Sequence, residues 1–397
     1  MTTKIQVTTQ IQGKDILAGY LRPSYSSGTF IYDSSYLSNP RAFALAPSLP
    51  LEAGPQHFSG LGGFSDSAPD RWGRKLLQRT QGRQNLSEFD YLLGVNDTGR
   101  QGAVRFWQEG KACTSDGQGV PTEISLLELL NTAQAIERKD TDLLEVQSRR
   151  LFIATGSLGG ARPKANVLIG KELWLAKFPK PWGDNWDIMG WEKVTRDLQE
   201  LAGIRVAPAQ SRLMTNDQGD PSRVYLLKRF DRNQEGHRIP YISAMTALEA
   251  RDGDGGDWLD LLEFAQDQGA DTKELWRRLV FNLLVGNTND HLRNHGFLHQ
   301  GRSWTLAPSF DVNPTPDDQH HQLALLGNDT YRLEDTLAPE LLDACQVSLE
   351  DAQEWVRSLG QVFKRAPRLA QEERIDKQSL EIMLPRFEQA LETISQV

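Results

Sequence analysis

The stretch Asn287-Thr288-Asn289-Asp290-His291-Leu292-Arg293-Asn294-His295 crowds amides, a carboxylate and histidines into one loop, and Asp311 follows in Pro308-Ser309-Phe310-Asp311-Val312. Side-chain oxygens of Asn294 and Asp311 are hard donors, suited to a cation such as Mg²⁺ that is held jointly with phosphates. A second constellation is Gly156-Ser157-Leu158-Gly159-Gly160-Ala161-Arg162-Pro163-Lys164. Gly156, Gly159 and Gly160 would let backbone N–H groups approach phosphate oxygens, and Ser157, Arg162 and Lys164 add donors and charge. The segment matches neither G-x-G-x-x-G nor the Walker pattern, and the plain alternative is a surface turn. Lys177, in Leu175-Ala176-Lys177-Phe178, is a single cation among apolar residues. It is placed to reach phosphates, unless it is only a solvated strand lysine. Its candidate ion-pair partner is Glu192, which can equally be a helix-start glutamate favoured by the helix dipole. The shared theme is the handling of phosphate groups and a divalent cation.

These residues need a sheet, a helix and a rigid loop to hold them. Ile5–Ile11 alternates with period two, and Leu17–Leu21 and Thr29–Tyr32 continue as short strands. Asp70 caps a helix with Trp72, Leu76 and Leu77 on one side. Helical pieces are predicted near 86–93, 123–135 and 143–151, followed by a strand over Leu151–Ala154. Gly170-Lys171-Glu172 turns a hairpin that carries Lys177. Trp191, Val194, Leu198 and Leu201 recur at helical spacing and Gly203 ends that helix. A further strand, Val224–Phe230, leads to a junction where the backbone around Lys228 and Phe230 can read an adenine edge. Arg229 and Asp231 are hinge-stabilising ions in the simplest reading. Beyond about residue 245 the chain is mainly helical, over 259–268, 272–284, 349–363 and 377–394.

The order of the loop is that of protein kinases, where H-R-D-x-x-x-x-N is followed by a metal-binding Asp. With Gly156–Lys164, Arg229-Phe230-Asp231-Arg232, Asn287–Phe297, Phe310-Asp311-Val312 and the block Asp66–Gly73 in view, the chain resembles the HipA family of toxin–antitoxin serine/threonine kinases. The resemblance implies an α+β, bilobal, protein-kinase-like (HipA-type) fold. It has a β-rich N-lobe with an extra N-terminal subdomain and an all-helical C-lobe. The boundaries expected are 1–145 for the subdomain, 146–235 for the nucleotide-binding N-lobe and 236–397 for the C-lobe. ATP and Mg²⁺ are the implied cofactors, with Asn294 and Asp311 as metal ligands. Gly156, Ser157, Gly159, Gly160, Arg162, Lys164, Lys177, Lys228 and Phe230 are the implied ATP-binding residues. Ser157 matches the family's autophosphorylated serine, and a dianionic group there would order or expel the loop by charge. Implied partners are a protein substrate (an aminoacyl-tRNA synthetase for some members), a helix-turn-helix antitoxin of HipB type and, through it, operator DNA.

At the position of the catalytic Asp this sequence has Asn289, within Asn287-Thr288-Asn289-Asp290-His291. An amide cannot accept the hydroxyl proton, and losing a general base costs about 10²–10⁴-fold. An engineered inactivating substitution, a natural pseudokinase and a takeover by Asp290 are the readings open. His291 suits a scaffold role better than that of a base. The runner-up function is a nucleotide-binding regulator acting through an antitoxin complex, and a kinase-fold enzyme acting on a small molecule or lipid is a third.

Bulk properties narrow the class. With 397 residues, 39% of them apolar, the chain can bury a full core. A net charge of −9 argues against a nucleic-acid-coating protein. Two distant cysteines, Cys113 and Cys345, read as reduced thiols. No apolar run reaches the ~18 residues of a membrane span, so a soluble cytoplasmic protein without membrane partners is expected. The acidic run from Asp252 to Asp257 places Gly and Asp wrongly for a calcium loop. His320-His321 reads as a solvated pair and the 10 tryptophans as packing residues.

Overall fold

The computed structural model describes residues 4–83, 85–113, 120–140, 145–157, 162–251, 253–316 and 320–397. The N-terminal subdomain is built on a six-stranded antiparallel sheet, in the order Pro55–Ser59, Ser27–Tyr32, Lys14–Pro23, Ile5–Ile11, Arg105–Gln108 and Lys111–Ala112. Period-two alternation sends Ile5 and Val7 inward, onto Phe30, Phe64 and Phe106. Asp70 caps the helix Arg71–Gln81 by accepting from the Gly73 N–H at 2.7 Å.

The N-lobe sheet runs Lys164–Ile169, Glu172–Lys177, Pro221–Lys228, Ala209–Thr215, all antiparallel. Its register sorts the faces. Lys164 and Tyr225 both lie opposite Lys177, forming one row, while Ala165 and Leu226 both lie opposite Ala176, forming the other. The alanine row packs into a core with Leu129, Leu130 and Ala133 of the helix Leu126–Glu137, Leu151 and Ala154 of the helix Glu145–Thr155, and Trp72 and Leu76. Leu151–Ala154 is therefore helical and not the strand expected. The residues meet the sheet at helical spacing, and burial under the sheet overrides the β-branched local preference. Residues before 145 thus share the core of the N-lobe sheet. The helix Ile188–Leu201 packs on the other side, capped by Asp187 and followed by Gly203 at φ +76°.

The C-lobe is largely helical, with Trp258–Asp267, Thr272–Val285, Leu349–Phe363 and Lys377–Ile394 around one core. It also carries a three-stranded sheet, in the order Tyr241–Ser243, Gly296–Gln300, Ser303–Leu306. Trp191, Trp258 and Trp276 are fully buried, as packing residues should be. Both cysteines are free. No helix among the described residues is long and apolar enough to cross a membrane.

Candidate functional site

The cleft between the lobes, about 1560 Å³, is lined by Lys164 and Lys177 from the sheet, by Asn289, His291 and Asp311 from the C-lobe, and by Asp70 and Arg71 from the subdomain. At its centre Lys177 is buried and reaches two carboxylates: Glu192 at 2.5 Å, from the Ile188–Leu201 helix, and Asp311. Burial opposes the lysine charge, but Asp311 and Glu192 outweigh it and hold the ammonium pKa above its ordinary value. Burial would also raise Asp311, yet Lys177 keeps that carboxyl well below the carboxylate range. Burial pushes the Glu192 carboxyl up to about 7 against the pull of Lys177, with Asp311 adding to the rise. Two acids sharing one ammonium cannot both ionise freely, and Asp311 keeps the charge because its side chain, 27% exposed, opens to the cleft. Asp311 sits at φ +60°, in the left-handed region that a non-glycine residue rarely adopts, and Asn313 Nδ2 donates to its Oδ1 at 3.2 Å.

The loop that faces Asp311 grows out of the buried helix Thr272–Val285, which ends at Gly286 with φ +67°. Arg386 closes this end by donating to the carbonyls of Leu283 and Leu284. Beyond it the loop alternates its side chains. Asn289 is exposed to the cleft, whereas Asp290 is buried and accepts from Asn282 at 2.8 Å and from His295 at 3.0 Å. Asp290 is therefore turned inward, and a takeover of the base position by Asp290 has no geometry to support it. His291 lines the cleft beside Asp311, and its buried Nδ1 makes no hydrogen bond. Asn294 donates through Nδ2 to the Asn289 carbonyl at 3.4 Å, which leaves its Oδ1 as a donor toward a cation. Asn294 lines a slot of mixed character with Leu175, Leu227, Phe230, Tyr241 and Phe310, and Lys177 and Asp311 reach it too. Phe230 packs on Phe310 at 5.4 Å between ring centroids.

Several predicted ATP contacts are engaged elsewhere. Lys164 is buried and donates to Asp70 at 2.8 Å. The N–H groups of Lys228 and Arg229 donate to the carbonyls of Pro208 and Leu173 and the Lys228 side chain pairs with Glu172, although both residues line the slot beside Phe230. Arg162 lines the cleft but forms a bidentate pair with Asp184, at 2.7 and 2.9 Å. Gly156 ends the helix Glu145–Thr155 at φ +68°, where a Cβ would come within 2.4 Å of the Gly99 carbonyl oxygen. Ser157 is buried against the same turn, its Oγ accepting from the Gln101 N–H at 2.7 Å. Neither lines the cleft; helix termination against the subdomain decides their place. Gly159 and Gly160 lie outside the described residues, as do Asp252 and residues 317–319.

The links that join the pieces include Arg229 and Asp231, which the sequence suggested as hinge-stabilising ions, and Asn166 and the reach of Asp66, which it did not. Asp66 accepts from the Ser243 N–H at 2.7 Å, so the block 66–73 grips the C-lobe with one carboxylate and the N-lobe with Asp70. Asp231 accepts from the Gly102 N–H at 2.7 Å and pairs with Arg229 and Arg232, which outweigh its burial and hold its pKa far down. Buried Asn166 bonds the Ala154 carbonyl at 2.9 Å and Arg229 at 2.6 Å. In the sequence it differs in no way from any polar residue on a strand.

Comparison with known proteins identifies the family and the fold. Residues 156–369 match the HipA-like C-terminal domain and residues 9–106 match the HipA N-terminal domain. The chain belongs to the HipA-like family. Its fold is that of the HipA of Shewanella oneidensis MR-1, solved with HipB and operator DNA, at 17% identity over 99% of this chain and 97% of that one, with a TM-score of 0.69. The Helicobacter pylori proinflammatory kinase CtkA, also 17% identical, covers 59% of this chain and 92% of its own, with a TM-score of 0.43. A putative kinase of Haemophilus influenzae is 23% identical over 185 residues, 41% of this chain. The chain spans 54% of the length of that curated relative. The chain thus has the bilobal HipA-type kinase fold.

Proposed function

We propose that this chain is a HipA-type serine/threonine kinase whose phosphotransfer is suppressed by Asn289. One observation carries the reading: Lys177 is held between Glu192 and Asp311 in an interlobe cleft, facing the loop that presents Asn289 and Asn294. The donor set fits Mg-ATP, since Asp311 and Asn294 offer hard oxygens and Lys177 a fixed positive charge for phosphate. ATP would supply the phosphoryl group, with Mg²⁺ neutralising its phosphates. Lys177 would orient those phosphates, and the slot around Phe230 and Phe310 would take the base. Transfer to a protein hydroxyl releases a proton, and the amide of Asn289 has no means of taking it.

Ser157 is the proposed site of self-modification. Its buried hydroxyl must first leave the Gln101 N–H, and a phosphate of ≈ −1.5 to −2 charge would be costly to bury there. Modification would therefore keep Ser157 away from the subdomain. The partners proposed are a HipB-type antitoxin and, through it, operator DNA, in line with the complex of the Shewanella HipA. The acidic charge of −9 favours indirect DNA contact. A purely nucleotide-binding regulator is the second reading, favoured by the amide at 289.

The test is γ-phosphate incorporation from labelled ATP by this chain and its Asn289→Asp variant, with the modified residue mapped. The variant should gain about 10²–10⁴-fold, with label on Ser157. Equal label in both would sink the role given to position 289. ATP binding without label in either would favour the regulator.

A further inference from the structure

The segment that returns from Asp311 ends on the catalytic loop. The Gln322 N–H donates to the Thr288 carbonyl at 3.1 Å, and the Gln322 side-chain Nε2 donates to Asn289 Oδ1 at 3.0 Å. Gln322 does not float above the loop. The next residue, Leu323, is buried and pairs with Gly256, and Ala324 pairs with Asp257, in a short parallel ladder. Asp257 in turn caps the helix Trp258–Asp267 and accepts from the N–H groups of Leu326 and Gly327. The backbone at 322 is thereby fixed to the C-lobe core on both sides, and its side chain reaches the cleft at position 289.

We propose that Gln322 is the positioning residue for the side chain at 289, setting which of its atoms meets a substrate hydroxyl. This rests on the reading of 289 as the base position. In the present chain the amide oxygen of Asn289 is occupied by Gln322, so the group left for the cleft is a donor. With a carboxylate at 289, the same Gln322 N–H would hold one oxygen and leave the other to take the hydroxyl proton. That proton would leave as the hydroxyl oxygen bonds to phosphorus and the β–γ bridge breaks to release ADP.

The experiment measures phosphotransfer in Asn289→Asp, alone and with Gln322→Ala or Gln322→Glu added. Gln322→Ala should lower kcat by about ten- to a hundredfold, the scale of a misplaced catalytic group, with KM for ATP within about twofold. Gln322→Glu, of nearly the same shape but with no N–H to donate, should lose kcat to a similar degree. Unchanged kcat in both double variants would overturn the inference while leaving the kinase reading intact. So would a fall in kcat matched by losses of ATP affinity and melting temperature, since Gln322 would then only hold the loop together. No transfer by Asn289→Asp itself would overturn the base reading, and the role of Gln322 with it.

Discussion

Two regions of this molecule handle polar groups in opposite ways. At the junction of the subdomain with the lobes, charges are buried and matched. Lys164 meets Asp70, Arg229 and Arg232 meet Asp231, and Arg100, fully buried, donates to the carbonyls of Ser67, Leu92 and Val95. In the cleft, Asp311 is strained and partly open, the His291 Nδ1 has no hydrogen bond, and Lys177 is shared between acids. A buried charge is tolerable only when paired, so the junction spends its charges on holding the pieces together. The cleft leaves its groups partly unsatisfied, and a ligand can complete them.

Breaking the junction should cost the most. Asp70→Ala leaves Lys164 buried without its carboxylate and removes a helix cap, and should destabilise the fold by about 3–5 kcal/mol. Denaturant unfolding at pH 7 measures this, and a loss under about 1 kcal/mol would show that Lys164 is not held as described. Asp311→Ala should leave stability nearly intact but weaken Mg²⁺-dependent ATP binding by roughly 100-fold, or about 2.8 kcal/mol. Calorimetric titration reads this, and unchanged affinity would refute the metal assignment.

Glu192 offers a pH test of the cleft. A carboxyl raised to about 7 in the fold contributes stability that is full below its ordinary value near 4.5 and is lost as pH rises through 7. The opposite shift at Asp311 acts only in stronger acid, as pH falls below the carboxylate range. Between pH 5.5 and 8 the melting temperature of the parent should therefore fall relative to Glu192→Gln. Parallel curves would mean that Glu192 is fully ionised beside Lys177. The smallest effect belongs to Lys228→Ala, whose partner Glu172 is half-exposed. It should cost about 0.2–1 kcal/mol and leave ATP affinity unchanged; a large loss of affinity would restore the side chain to the nucleotide site.

Much of the frame was legible in residue order. The helices Leu349–Phe363 and Lys377–Ile394 begin and end at the expected residues, and the structure adds their caps, Ser348 and Asp376. Lys177 stood out because a lone cation on an apolar strand needs a partner, and the register supplies the reason: its face turns to the cleft, not to the alanine-lined core. Glycines in a loop suggest phosphate, whereas in this structure Gly156 closes a helix against Gly99 and Ser157 bonds the Gln101 N–H. No local signal separates those uses of a positive φ.

What the sequence determined by itself is therefore local and periodic: strands of period two, helices with caps, the loop with Asn289 and Asn294, and the amide at the position proposed for the base. Tertiary structure alone decided which charges meet. Asp70 is 94 residues from Lys164 and Asp311 is 134 residues from Lys177, and pairing over such distances follows from packing and burial, not from neighbours in the chain. The same holds for Asp290 and Asn289, adjacent in sequence and opposite in fate. One is drawn inward by Asn282 and His295, and the other is left at the cleft under Gln322.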